Sequence, residues 1–310
     1  MNEKQHIAVV GAGLMGHGIA QVFAVAGHTV TVYDQSVEAL TSLRKRIAQN
    51  LTDLGHDASA ADRVFPCDAP GECVAGADIV FEAGPEDLQF KQKMFLQLEL
   101  MAPRKALLAS NTSVIPISRV VEEMRTPHRA MGTHWWNPPY LVPLVEVIKT
   151  SKTDAEAAQQ MFALLAAAGK TPAMVEKDVA GFIGNRLQHA LWREAIAIVE
   201  AGICSAETVD TVVKASFGRR LAVLGPLENA DLVGTDLTLA IHRTVLPEID
   251  GRAGPSPYLE QLVQEGRFGM KSGEGFRPWT PEAQALLLKR VRQHLLAMNR
   301  ADDEAARESA

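Results

Sequence analysis

The order strand, glycine turn, helix over residues 6–26 constrains this chain more than any other feature. His6 to Val10 is a short apolar run, Gly11-Ala12-Gly13-Leu14-Met15-Gly16 follows, and a helical pattern runs from Leu14 to Ala26. Glycines at this spacing have distinct uses. The first permits a tight turn, the second lets backbone approach a pyrophosphate, and the third lets helix and strand pack closely. The free amides at the helix start then face the phosphates. Glycines also mark ordinary turns, so the context decides. Thr29 to Tyr33 is the next strand and ends in Asp34, at about the separation expected for an acid that hydrogen-bonds a ribose. A carboxylate there accepts from ribose hydroxyls and repels a 2'-phosphate, which favours NAD over NADP. The alternative is that Asp34 only caps the strand end.

The chain then repeats this logic. Ser36 to Leu54 reads as a helix with Ser36 as its cap and Glu38 in its first turn. A weaker strand spans Arg63 to Pro66 and a clear one Asp78 to Ala83; after Gly84-Pro85 a helix carries Glu86 and Lys91. Ala106 to Ala109 is another apolar run, ending in Ser110-Asn111-Thr112-Ser113 before a helix from Ile117. Strands that end in small or polar residues just before a helix describe an α/β fold with a Rossmann-type doubly wound sheet. Its ligand crevice lies at the carboxyl ends of the strands. Glu82, Asn111 and Ser113 fall on that edge, while Glu86 and Thr112 read as helix caps. The expected dinucleotide contacts are Gly11, Gly13, Leu14, Met15, Gly16, Asp34, Gln35, Glu82, Ala83, Lys91 and Asn111.

Arg129 to Thr133 is one more strand, with His134 at its end, on the edge where the dinucleotide lies. Val142 to Ile148 is a strand with Glu146 alone among apolar residues, and a carboxylate buried there is costly unless it is paired. Asn137, Pro138 and Pro139 between them are turn signals that let the chain double back and bring His134 to Glu146. A histidine beside two tryptophans can equally be a satisfied structural residue. As a base it suits alcohol oxidation: its ordinary pKa lies near neutrality, and a carboxylate on its other ring nitrogen fixes the tautomer and stabilises the imidazolium.

Composition excludes several classes. With 310 residues, 47% of them hydrophobic and 22% charged, the chain is ordinary globular material with room for two domains. A net charge of -6 argues against a general nucleic-acid binder, and Arg44-Lys45-Arg46 reads as a solvated helix face. Cys67, Cys73 and Cys204 have neither metal-ligand spacing nor an even framework, so no metal is expected and a reducing compartment is. No apolar run reaches membrane-spanning length and no signal-peptide pattern opens the chain, so a cytoplasmic protein is expected.

The motifs GAGLMGHGIA, YDQS, FEAGPED, SNTS, HWWNPP with LVEVI, KDVAGFIGNR and GPLENADLVGTD stand in this order between about Ile7 and Phe276. Together they resemble the NAD-dependent L-3-hydroxyacyl-CoA dehydrogenase family. The resemblance implies that His134 is the catalytic base, Glu146 its orienting carboxylate, and Ser113 and Asn185 polar contacts to substrate or cofactor. It also implies a small-molecule acyl or hydroxy-acid substrate, and an all-α C-terminal domain that supplies a homodimer interface.

The second half fits that outline. Thr153 to Ala168 is helical and Thr171 to Val175 a last strand, after which a long helix runs from Phe182 to about Ala201 with Asn185 in its first turn. Helices are expected from Ser205, Pro226, Pro257 and Pro281, the prolines fitting helix starts. The domains are therefore 1–181 for the dinucleotide and 182–299 helical, with a frayed tail over 300–310. Two departures from the acyl-CoA pattern bear on substrate. The segment between the second strand and Glu82 is shorter than in acyl-CoA members, and SFGRRLAVLGP precedes the Pro226 helix. Relatives acting on free hydroxy acids, of the L-gulonate 3-dehydrogenase, lambda-crystallin and carnitine dehydrogenase type, have a similar longer segment with a basic residue. Arg220 occupies the matching position, and a guanidinium can clamp a free carboxylate where a thioester offers none. The alternative is that Arg219 and Arg220 are surface charges near a helix end.

Oxidation of an L-3-hydroxyacyl thioester is the first expectation, and the same chemistry on a free 3-hydroxy acid the alternative. A lysine-based dehydrogenase requires a lysine where Gly181 stands. A non-catalytic dinucleotide-binding structural protein has no need to retain both His134 and Glu146.

Overall fold

The computed structural model describes residues 4–308. Eight strands form one sheet: β1 His6–Val10, β2 Thr29–Tyr33, β3 Val64–Cys67, β4 Ile79–Glu82, β5 Leu107–Ser110, β6 Ala130–Trp135, β7 Leu144–Ile148 and β8 Thr171–Val175. Their order is β3-β2-β1-β4-β5-β6-β7-β8, with β1 to β6 parallel and β7 antiparallel to β6. The connecting helices are α1 Leu14–Val25, α2 Val37–Thr41, α3 Leu43–Leu54, α4 Pro70–Val74, α5 Leu88–Met101, α6 Ile117–Val120 and α7 Ala155–Ala167. Helices on both faces bury both sides of the strands. Ile7 and Val9 of β1 pack with Phe23 and Phe81 on one side, while Ala8 and Val10 pack with Val80 and Phe95 on the other. The expected α/β architecture is thus observed, and the strand direction changes at Asn137-Pro138-Pro139.

The helices that follow are α8 Gly184–Glu200, α9 Ala206–Ala215, α10 Pro226–Val233, α11 Thr235–Val245, α12 Pro257–Gln264 and α13 Pro281–Glu308. Two compact units result: residues up to Arg186 together with those from His294, and Leu187–Gln293. The second is all helical, and Arg252 ties its parts together through Glu200 at 2.6 Å and Asp250 at 3.0 Å.

Several elements differ from expectation in detail. The helix read over Ser36–Leu54 is two, meeting at Ser42. Gly234, at φ 102°, separates α10 from α11, a break that an apolar pattern does not reveal. The segment expected to fray from Arg300 is helical through Glu308, in keeping with its Ala, Glu and Arg content. Arg44 and Arg46 are not simply solvated: Arg44 donates to the Val64 carbonyl, and Arg46 to the carbonyls of Ala12 and Ala39 at 2.7 and 2.9 Å.

Candidate active site

The glycine turn is built as its spacing requires. Gly11 lies at φ 112°, and a Cβ on it would stand 2.6 Å from the Ala83 carbonyl oxygen. A Cβ on Gly16 would overlap the carbonyl of Gly11. Gly13 has open space where its Cβ would be, the kind of approach a pyrophosphate needs. Asp34 is tied to this turn: its carboxylate accepts the Ala12 amide at 2.6 Å and the Ser36 amide at 2.8 Å. It therefore serves the turn as a cap, and its carboxylate is only half-buried. Leu14 and Gln35 are exposed beside it, and Met15 is half-buried. The residues present fit a bound dinucleotide.

His17 was no sequence candidate, yet it stiffens the same turn. Its Nδ1 lies 2.9 Å from the Gly13 carbonyl and its Nε2 3.3 Å from the Asn50 amide nitrogen. A carbonyl only accepts, so Nδ1 carries the proton and Asn50 donates to Nε2. Burial lowers the His17 pKa and favours this neutral form.

At the end of β4 the polar residues form one connected group. Glu82 and Lys91 are fully buried and paired, with Nζ 2.9 and 3.0 Å from the two carboxylate oxygens. Ser110 and the Gly84 amide also donate to Glu82, each at 2.7 Å. The pair thus supports the strand ends from within, and Ala83 is the half-buried residue on the surface above it. Glu86, expected to cap a helix, does not: Asp87 caps α5. Instead one oxygen of Glu86 accepts from the Thr112 hydroxyl and the amides of Ser113 at 3.0 Å and Val114 at 3.1 Å. Its other oxygen lies 3.8 Å from Lys91. The missed signal was the number of unpaired amides after β5, which required a carboxylate from elsewhere. Asn111 accepts the Trp135 amide at 3.0 Å, and Asn185 donates its side-chain amide to the Ser113 carbonyl at 2.8 Å.

His134 lies within β6, not after it, directly opposite Glu146 of β7 in the antiparallel register. Cross-strand neighbours share a face, so the two side chains meet: His134 Nδ1 is 2.7 Å from Glu146 Oε2, both residues being buried. The other oxygen of Glu146 accepts the Ile183 and Gly184 amides at 2.9 and 3.0 Å, at the start of α8. Burial opposes ionisation of Glu146, but the hydrogen bonds from His134, Gly184 and Ile183 outweigh it and hold its pKa below the ordinary value. An ionised carboxylate accepts only, so neutral His134 carries its proton on Nδ1 and keeps the Nε2 lone pair. The ring stands 5.1 Å from that of Trp136 and 5.7 Å from that of Phe182. Trp136 also fills the space beside Gly184, where a Cβ would lie 2.5 Å from the indole. Neither Ser113 nor Asn185 hydrogen-bonds the histidine; they bond each other.

In the helical unit Arg220 is exposed, and no ion pair to it occurs among the described residues. Also among the described residues, no group of side chains could hold a metal and no helix is long and apolar enough to cross a membrane.

Comparison with known proteins identifies the family. Residues 6–179 match the NAD binding domain of 3-hydroxyacyl-CoA dehydrogenase, and residues 181–279 its C-terminal domain. Among curated proteins the chain is 33% identical to 5-formyl-3-hydroxy-2-methylpyridine 4-carboxylate 5-dehydrogenase of Mesorhizobium japonicum, covering 96% of this chain and 97% of that protein. It is 36% identical to the mitochondrial hydroxyacyl-coenzyme A dehydrogenase of Homo sapiens, over 88% and 90% of the two chains. A crystal structure of a 5-formyl-3-hydroxy-2-methylpyridine 4-carboxylic acid 5-dehydrogenase, described as an NAD+ dependent dismutase, superposes with a TM-score of 0.88 at 33% identity, over 96% and 98% of the chains. The (S)-3-hydroxybutyryl-CoA dehydrogenase of Ralstonia eutropha does so with a TM-score of 0.75 at 30% identity, over 90% and 100%. With both of its domains matched and relatives alike over nearly their whole length, the chain belongs to the 3-hydroxyacyl-CoA dehydrogenase family and is an NAD-dependent oxidoreductase.

Proposed function

We propose that the chain oxidises the 3-hydroxyl of an L-3-hydroxyacyl substrate to a ketone, with His134 as base and Glu146 as its orienter. The observation that carries this is the buried 2.7 Å contact between them. Bound NAD supplies the acceptor for the hydride that leaves C3. His134 Nε2 takes the hydroxyl proton while the carbonyl forms, and Glu146 stabilises the imidazolium so produced. In the reverse direction the imidazolium returns that proton to the developing alkoxide. Gly11, Gly13, Gly16 and Asp34 hold the dinucleotide, with Leu14, Met15, Gln35, Ala83 and Asn111 beside it. Glu82 and Lys91 brace that edge. Ser113 and Asn185 border the substrate, and unpaired Cys67, Cys73 and Cys204 suit a reducing, cytoplasmic setting.

A second reading places the same chemistry on a free acid, with Arg220 clamping the carboxylate. It is favoured by the TM-score of 0.88 to a relative whose named substrate is a carboxylate, against 0.75 for the hydroxybutyryl-CoA enzyme. Hydrogen bonds to a charged group contribute about 1.5–3 kcal/mol, so Arg220→Ala should lower kcat/KM for a free 3-hydroxy acid roughly tenfold to a hundredfold. Turnover of a CoA thioester should be unchanged. NADH absorbance on both substrate types decides; loss with the thioester alone returns the assignment to CoA.

We also infer a homodimer through the helical unit. Leu262 is the one large apolar side chain buried in that unit among the described residues, while Val223 and Leu227 are 86% and 80% exposed. So much apolar surface is rare on a monomer. Light scattering should give the mass of two copies; a monomer at micromolar concentration would overturn the inference.

A further inference from the structure

The turn that joins β6 to β7 decides how His134 meets Glu146. The ladder between these strands runs from the Gly132–Ile148 pair to the Trp135–Val145 pair, so the His134–Glu146 pair stands one step from its end, beside the turn. The backbone of that turn is short of donors. Pro138, Pro139 and Pro143 bring no amide hydrogens. Leu141 and Val142 both donate to the Pro138 carbonyl, leaving those of Pro139 and Val142 without a backbone donor. One side of the turn is packed, with Pro139 and Leu141 buried and the Tyr140 ring against His17, and Asn299 donates to the Leu141 carbonyl at 3.0 Å. The other side faces a cavity of about 330 Å³ lined by Tyr140, Leu141, Pro143, His56, Lys170 and Arg300, where the Pro139 and Val142 carbonyls need a donor from elsewhere.

Lys170, in the tight turn between α7 and β8, satisfies both carbonyls. Its Nζ donates to Pro139 at 2.7 Å and to Val142 at 2.6 Å. The same ammonium lies 5.6 Å from the ring of Trp135, the residue next to His134. Among the described residues no carboxylate lines the cavity; burial pushes the Lys170 pKa down to about 8, and the two carbonyls and the indole are the groups its ammonium meets. Next to Lys170 begins β8, in which Ala173 is registered with Glu146. One side chain therefore links the strand beyond Glu146 to the turn between the two functional residues.

We propose that Lys170 is a positioning residue for the His134–Glu146 pair, its ammonium clamping the Pro139 and Val142 carbonyls so that the two strands enter the turn at one fixed spacing. The proposal rests on reading that pair as base and orienter. Lys170 acts through the turn and has no contact with the glycine turn of β1 or with Asp34, so its loss should fall on the chemical step.

The test compares Lys170→Met and Lys170→Arg with the native chain, each normalised to its folded fraction by circular dichroism and to its NAD-binding sites by titration. Lys170→Met should lower kcat at least tenfold, with NAD affinity and substrate KM within twofold. Lys170→Arg, which keeps a charged donor, should recover most of that loss. Wild-type kcat in folded Lys170→Met, an equal loss in both variants, or a parallel loss of NAD binding and kcat overturns the proposal. His134→Gln, assayed alongside, tests the underlying reading separately. An active His134→Gln defeats the base assignment, whereas an inactive His134→Gln with a fully active Lys170→Met defeats the clamp alone.

Discussion

Lys91→Met should destabilise the dinucleotide unit by about 3–5 kcal/mol, the cost of leaving one charge of a buried pair uncompensated. Glu82 and Lys91 are both fully buried, and the ammonium bonds both carboxylate oxygens. Methionine fills a similar volume, so the loss is electrostatic: Glu82 keeps Ser110 and the Gly84 amide as donors but loses the one cation paired with it among the described residues. Against a typical domain stability of about 5–15 kcal/mol this is a large fraction. Urea unfolding without NAD measures it. A double variant, Glu82→Gln with Lys91→Met, should recover much of the loss, since it removes both charges. A single variant within 1 kcal/mol of the native chain would show that the pair contributes nothing net to folding.

That pair also shows where the sequence was legible. The glycine turn, Asp34 and the polar strand ends followed from local rules, because a βα unit carries its turn chemistry within about thirty residues. The meeting of His134 and Glu146 was legible for a similar reason: a proline-rich connection of only eight residues, 136–143, can lead only into a neighbouring strand. Partners far apart in sequence were not. Glu86 accepts amides 27 and 28 residues away, and Lys170 holds carbonyls 28 and 31 residues back. Nothing in the spacing of either predicts its partner, since the sheet order brings them together. Lys91 was expected among the dinucleotide contacts, and its burial was illegible because it depends on Glu82 waiting beneath it. The break at Gly234 was hidden because the apolar pattern continues across it. Arg220 has a family-level rationale in the sequence, and its test lies in the choice of substrate.

The largest effect on turnover is expected from His134→Gln. Glutamine can still offer an amide hydrogen to Glu146, so the buried carboxylate keeps a partner and the strands keep their register. What it lacks is a basic nitrogen in place of Nε2. General base catalysis contributes about a hundredfold to ten-thousandfold, and the variant should lose that much in kcat. Its NAD affinity should stay near the native value, because the glycine turn and Asp34 directly follow β1 and β2, strands that are not neighbours of β6 in the sheet. The decisive measurement is single-turnover stopped flow of enzyme saturated with NAD, mixed with whichever L-3-hydroxyacyl thioester or free acid the native chain oxidises. The native chain should give a burst of NADH absorbance, and His134→Gln, with NAD bound equally well, should give a burst slowed at least a hundredfold. A burst at the native rate from the variant would contradict the assignment of His134 as the base.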